Sequence, residues 1–227
     1  MNFAAIETAT EWCSVALWCD GEVVSLERRA GPRQGEYVLP MLDALFGRTK
    51  LGMRDLDAVA YGAGPGAFTG LRIACGVAQG LAFSRNLPVI GISTLEATAE
   101  ESGAERVVVA LDARMHEVYY SAYEKRGGRW HPVLAETCVA PDAVEIPPGG
   151  GWLGCGGGFS AYAGRIQPRL RGVLNRVVPE TRPSASAVVR LAAPRLAAGE
   201  GTDAALAIPH YIRDKVALTS SEQGKGK

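Results

Sequence analysis

Two carboxylates, Glu7 and Asp112, each close an apolar run that reads as a strand, Phe3–Glu7 and Arg106–Asp112. With Thr8 and Thr10 beside the first, they are the candidates for chemistry in a cleft; acids at strand ends serve equally well as acceptors for turn amides. A second candidate is the run Gly62-Ala-Gly-Pro-Gly-Ala-Phe-Thr-Gly70, set between an apolar strand and an apolar helix. Such a loop can cradle a phosphate, because glycine lets backbone approach a ligand and a helix N-terminus offers free N–H groups. The spacing departs from the dinucleotide fingerprint, since Gly64-x-Gly66 is followed by Gly70 one residue late, and no Gly-Lys-Ser/Thr of a Walker loop exists. A tight turn that lets the helix pack closely remains the other reading. Metal and hydrolytic chemistry lack their residues: His116, His131 and His210 are scattered with no H-x-x-x-H pair, no G-x-S-x-G elbow occurs, and Cys75 sits inside an apolar helix, away from an activating N-terminus.

The elements that must position these groups follow from hydrophobic period and turn residues. The first thirty residues read as a meander of Phe3–Glu7, Trp12–Cys19 and Glu22–Arg28, with Asp20-Gly21 as the tight turn. Val38, Met41, Leu42, Leu45 and Phe46 lie at helical spacing over 37–46, with Pro40 assigned to the first turn and Gly47 as the stop. Strands at 57–61 and 88–92 flank the glycine loop and a helix over 71–83, and Thr94 is the expected cap of a helix over 94–101. At residue 106 the plan restarts: strands at 106–112, 117–123 and 130–134 repeat the opening meander. Helices follow near 160–166 and at 184–198, the latter capped by Ser184 and stopped by Gly199, and the last eight or so residues read as a frayed tail. A duplicated α/β fold of two lobes with a cleft between them is the expected architecture, divided as 1–102 (N-terminal lobe), 103–205 (C-terminal lobe) and 206–227 (C-terminal segment).

In the helix over 71–83, Arg72 and Gln79 are the only strongly polar side chains, and Gly76 and Gly80 lie four apart on one face. Each helical glycine costs about 1 kcal/mol against alanine, which calls for a packing reason: the first helix of the same chain, or a partner subunit. Composition restricts the partners. Lys+Arg and Asp+Glu both number 24, which argues against a protein that grips nucleic acid or an anionic membrane unaided. The seven arginines between 160 and 200, at 165, 169, 171, 176, 182, 190 and 195, either face an RNA or form a solvated surface. No apolar run spans a membrane, no signal peptide is apparent, and five cysteines without a C-x-x-C fit a reduced, cytoplasmic protein. Glycine is the compositional outlier at 28 residues, of which fourteen fall in 62–80 and 149–164.

Four segments then carry a resemblance. Ile6-Glu-Thr-Ala-Thr-Glu-Trp-Cys-Ser-Val-Ala-Leu17, Tyr61-Gly-Ala-Gly-Pro-Gly-Ala-Phe-Thr-Gly-Leu-Arg-Ile73 with Ala78-Gln-Gly-Leu-Ala82, Asp112-Ala-Arg-Met-His-Glu-Val-Tyr119, and Pro209-His-Tyr-Ile-Arg213 followed by Val216-Ala217 resemble the TsaB (YeaZ) family, in order from residue 3 to about 217. The resemblance implies an actin/Hsp70/sugar-kinase-like fold. It also implies a bacterial dimerisation subunit that works with a catalytic paralogue, TsaD, and an ATPase, TsaE, in forming threonylcarbamoyladenosine next to the tRNA anticodon. TsaD carries the metal-binding histidine pair, and the three scattered histidines here match its absence from TsaB; no catalytic residue and no metal ligand are expected. The first-lobe helices are the implied interface, through Val38, Met41, Leu42, Leu45, Arg72, Ile73, Gly76, Val77 and Gly80, with a homodimer through the same face as an option. Weak nucleotide binding, as ATP or ADP completed by the partner, is expected around Glu7, Thr8, Thr10, Asp112, Gly154, Gly156 and Gly157. Two departures stand out: the family usually has Asp where this chain has Glu7, and a histidine near Arg33-Gln-Gly-Glu36 that this chain lacks. Rival readings are an ATP-dependent kinase or glycoprotease-like hydrolase on the same fold, and direct tRNA binding by the 165–195 arginines.

Overall fold

The structure, a computed structural model, describes residues 1–213. The expected tail and the Val216-Ala217 part of the last motif lie outside the described residues. Strands β1 (Asn2–Glu7), β2 (Trp12–Cys19) and β3 (Glu22–Arg29) form the opening antiparallel meander, joined by parallel β4 (Ala58–Gly64) and β5 (Val89–Ser93) in the order β3-β2-β1-β4-β5. The second sheet repeats this plan. β6 (Arg106–Arg114), β7 (Glu117–Arg126) and β8 (Arg129–Val139) are antiparallel neighbours, and β9 (Trp152–Cys155) and β10 (Leu174–Val178) run parallel beside β6, giving β10-β9-β6-β7-β8.

Helices fill three layers around the two sheets. Helices α1 (Gln34–Thr49) and α2 (Phe68–Phe83) cover the outer face of the first sheet, where Ala4, Ile6, Val15 and Leu17 meet Val38, Leu42, Leu45 and Ala74. Helix α3 (Thr94–Glu101) and helix α6 (Ala185–Ala197) lie between the sheets, and Phe3 and Ala5 of β1 share one apolar cluster with Val107 and Val109 of β6. Short helices α4 (Gly158–Ala161) and α5 (Ala163–Arg169) cover the far face of the second sheet. Strand alternation explains this layering, because β1 and β6 send successive side chains to opposite faces and both faces are buried.

Local readings differ from the structure at several ends. Helix α1 begins at Gln34 behind a 3-10 turn over Gly31–Arg33, so Pro40 falls in its second turn and Gly47 lies inside it; the helix stops at Lys50, which takes the left-handed conformation at φ 59. Buried Leu42 and Leu45 hold that last turn to the core and outweigh the roughly 1 kcal/mol cost of a helical glycine. The cap of α3 is Ser93 rather than Thr94, its hydroxyl accepting from the Leu95 and Glu96 amides at 3.1 and 3.3 Å. The helix near 160–166 is broken at Tyr162 into α4 and α5. Ser184 caps α6 as expected, accepting from the Ala187 amide.

Candidate functional site

A cleft of about 650 Å³ opens between the lobes, lined among others by Thr10, Trp12, Arg29, Gly66, Asp112, Arg114, Gly157 and Arg182. Of the seven residues expected around a nucleotide, it therefore gathers Thr10, Asp112 and Gly157. The other four are placed elsewhere. Glu7 is buried at 2% exposure, with Oε1 accepting from the Ala9 amide and Oε2 without any partner. Desolvation raises its pKa from 4.5 to about 7, against the opposing pull of the Ala9 and Thr8 amides. Thr8 is buried and donates to the Gly70 carbonyl at 2.7 Å. Gly154 lies under the Phe159 ring, and Gly156 lies against the Ala110 carbonyl.

Asp112 is engaged inside the chain. Its Oδ1 accepts from the Tyr162 hydroxyl at 3.1 Å and the Arg114 amide at 2.8 Å, while Oδ2 pairs with the Arg114 guanidinium at 3.2 Å. These bonds hold the turn between β6 and β7, where Arg114, Met115 and His116 all have positive φ of 61, 52 and 61. That conformation is costly for side chains with a Cβ, by about 1–2 kcal/mol each. With one carboxylate sealed and the other spent on a turn, the residues present do not fit a metal-bound nucleotide. Among the described residues no group of three or more His, Cys, Asp or Glu side chains could hold a metal.

The glycine-rich run expected as one loop is divided between the end of β4 (Gly62, Gly64), a short connection with Gly66, and the first turn of α2 (Gly70), and it is packed against the protein itself. A Cβ on Gly70 would collide with the Thr8 carbonyl, one on Gly62 with the Glu7 carboxylate, and one on Gly66 would come within 2.6 Å of Ala9. Gly64, at φ +121, has the His210 carbonyl 2.5 Å from the place of its Cβ. Of the two sequence readings, phosphate cradle or close packing, the run's geometry is that of close packing.

Helix α2 presents the opposite case. Nothing lies within 4 Å of a Cβ built on Gly76 or Gly80, so packing against α1 is not their reason. Both glycines and Arg72 are exposed, and Ile73 and Val77 are half-buried. Val38, Leu42 and Leu45 of α1, expected at an interface, are instead buried in the core, and Met41 is half-buried against that same cluster. The apolar surface of α1 is made by Leu39, more than half exposed, with Phe46 half-buried. Sequence reading missed Leu39 because it chose the residues best spaced for a buried stripe, and a buried stripe faces inward. It also missed Phe83, exposed at 70%, which closes the C-terminal end of α2.

A further element frames this face. Residues 202–213 run back from α6 along the first lobe: Thr202 bridges Val89, the Gln79 amide donates to the Ala204 and Ala207 carbonyls at 3.2 and 3.1 Å, and Arg72 donates to the Tyr211 hydroxyl at 3.1 Å. Leu206 and Ile208 on this segment are about 70% exposed. Six of the ten large apolar side chains exposed among the described residues, Leu39, Phe68, Phe83, Leu206, Ile208 and Tyr211, thus lie on α1, α2 and this strap.

Four of the seven arginines are held in ion pairs. Arg165 pairs with Asp142, Arg182 with Glu27 while stacking on Trp12, Arg190 with Glu100 and Glu101, and Arg195 with Glu96. Arg169 donates to the Val144 carbonyl, which leaves Arg171 and Arg176 exposed without an ion pair among the described residues.

Two sheets of matching strand order, helices between and outside them, and a cleft at the lobe boundary define a two-lobed α/β protein of the actin/Hsp70/sugar-kinase-like class. A family model described as TsaD, tRNA N6-adenosine threonylcarbamoyltransferase, matches residues 29–220. The Escherichia coli tRNA threonylcarbamoyladenosine biosynthesis protein TsaB is 37% identical over 96% of both chains, and its Haemophilus influenzae counterpart is 37% identical over 76% of this chain and 78% of its own. The solved structure of YeaZ from Pseudomonas aeruginosa superposes with a TM-score of 0.86 at 37% identity, covering 92% of this chain and 99% of that one. The chain belongs to the TsaB (YeaZ) family. No helix among the described residues is long and apolar enough to cross a membrane.

Proposed function

We propose that this protein is a non-catalytic, cytoplasmic subunit of the tRNA threonylcarbamoyl transferase, required for threonylcarbamoyladenosine formation and acting by pairing with a TsaD-type catalytic paralogue. One observation carries the reading: α2 exposes Gly76 and Gly80 with open space above them, and Phe83 one turn further along the same helix is exposed as well. Two helical glycines stabilise nothing within the chain; they let a second backbone come close. The TsaB names of its relatives supply the process, and the engaged carboxylates explain why catalysis is assigned to the partner.

A TsaE-type ATPase joins this pair, and tRNA is reached through the catalytic subunit, in keeping with a chain of zero formal charge in which Arg165, Arg182, Arg190 and Arg195 are paired with carboxylates. Adenine nucleotide, where it enters the complex, depends on groups from the partner, since Glu7 is sealed from the cleft. A second copy of this chain can occupy the same face when the paralogue is missing. Size-exclusion chromatography with and without the TsaD-type protein of the same cell tests the reading. Co-elution, together with loss of tRNA modification when this chain is omitted, is the expected result. Failure to co-elute, or full modification without this chain, overturns it.

A further inference from the structure

The strap of residues 202–213 touches both lobes. Its first half is fastened to the first lobe: Gln79 holds the Ala204 and Ala207 carbonyls, Tyr61 donates to the Ile208 carbonyl at 3.1 Å, and the His210 amide donates to the Ala63 carbonyl at 2.7 Å. Its end is fastened to the second lobe. Arg213, mostly buried, forms an ion pair with Glu117 of β7, donates to the Arg114 carbonyl at 3.4 Å and lies 3.4 Å from Cys138 Sγ of β8. Burial lowers the Arg213 pKa, while Cys138 and Glu117 raise it further, so the net shift is upward and the charge is retained.

These two ends sit beside two different surfaces. Gln79 borders the open glycine face of α2, one residue before Gly80, and Arg72 on the same helix holds Tyr211. Arg213 grips the strained turn at 114–116, and Arg114 of that turn lines the inter-lobe cleft. A conformation with three consecutive side-chain-bearing residues at positive φ persists only where its surroundings hold it. Asp112 holds it from within β6, and Arg213 is the strap's contribution from outside.

We propose that the strap is a coupling device: it transmits occupancy of the α2 face to the 114–116 turn, so that a subunit docked on α2 tightens the cleft wall. The inference rests on the reading of α2 as the partner face for its trigger, but the mechanical link is a property of the free chain. A TsaD-type subunit seated over Gly76 and Gly80 immobilises Gln79 and Arg72, and through them the strap. Arg213 then holds the turn more of the time. Both sites bias one element, which is what a coupling requires.

Hydrogen–deuterium exchange of the full chain separates the link from its trigger. In the free protein, Arg213→Ala is expected to speed exchange of amides 114–117 about ten-fold, and Gln79→Ala, at the strap's other end, to speed the same amides at least three-fold. If Gln79→Ala alters only residues 202–208, the link does not exist, whether or not any partner binds. In the complex, amides 114–117 of the wild-type chain are expected to slow, and those of Arg213→Ala are expected not to slow although that variant still binds. A complex that forms and leaves wild-type 114–117 unchanged also overturns the proposal. Absence of a complex removes the proposed partner, and the free-chain result still decides the link. Arg213→Lys, which keeps charge but loses the guanidinium fork, is expected to exchange between wild type and Arg213→Ala, a rescue that general loosening of the fold would not produce.

Discussion

The glycines of residues 62–70 and those of residues 76–80 belong to one continuous glycine-rich segment and serve opposite ends. From Gly62 to Gly70, each position where a Cβ would sit is filled by the chain itself: the Thr8 carbonyl at Gly70, the His210 carbonyl at Gly64, the Glu7 carboxylate at Gly62. Further along α2, the space over Gly76 and Gly80 is empty. The glycines of 62–70 are therefore part of how the lobe is built, and those at 76 and 80 leave open surface, which the proposed function assigns to a partner. Identical residues in adjacent turns can be told apart only by asking what a methyl group would meet.

Substitution breaks this contrast most severely at the packed end of the segment. Gly70→Ala places a methyl group against the Thr8 carbonyl, where backbone must move, and is expected to cost about 3 kcal/mol or more. Urea unfolding of the variant checks it, and a midpoint equal to that of wild type would mean the packing around Thr8 is slack. The next effect concerns Glu7 over Gly62. Its folded pKa is raised from 4.5 to about 7, so the folded state holds a proton that the unfolded chain has released between those values. The stabilisation is complete below about pH 4.5 and is lost as pH rises through about 7, a swing on the order of 3 kcal/mol. Glu7→Gln is expected to flatten that slope and to be more stable than wild type at pH 8, measured by denaturant titration across the range.

At the open end the sign reverses. Gly80→Ala adds a side chain into open space and should raise stability by roughly 0.5–1 kcal/mol through helix propensity alone; a loss of stability would show that the face is packed. The smallest effect is expected far from both glycine sets, at Arg171 and Arg176. Replacing the two by alanine should change stability by less than about 0.5 kcal/mol, and a filter-binding salt titration of the chain with tRNA should show no steep slope before or after. A slope reduced by the substitution would assign direct tRNA contact to that segment.

Much of the frame was legible in the sequence because its signals are local. Asp20-Gly21 fixed the first hairpin, Ser184 and Gly199 bounded α6, and the repeated meander after Arg106 announced the second lobe. Other elements were hidden by composition. The Gly149–Gly158 run concealed β9, whose Trp152 and Leu153 are buried in a strand of only four residues, and β10 was hidden by half-exposed residues that alternate weakly. At the candidate interface, Gly76 and Gly80 were recognisable from helical glycine alone. The strap was not, because Leu206, Ile208 and Arg213 are brought to α2 and β7 by contacts more than ninety residues apart in the chain. Helical periodicity also named Val38, Leu42 and Leu45, which are buried, rather than Leu39, which is exposed: a hydrophobic stripe locates the core, and the proposed interface uses what the stripe leaves outside.

The most direct test of the central claim is co-elution of the Gly76→Leu protein with the TsaD-type subunit, read beside its thermal midpoint. The account predicts a midpoint equal to or above that of wild type, because leucine favours helix over glycine by roughly 0.7 kcal/mol, together with loss of the heterodimer, since a bulky side chain bars close approach of a second helix. A heterodimer that persists with the leucine side chain on that face, or a protein that no longer folds, would contradict it.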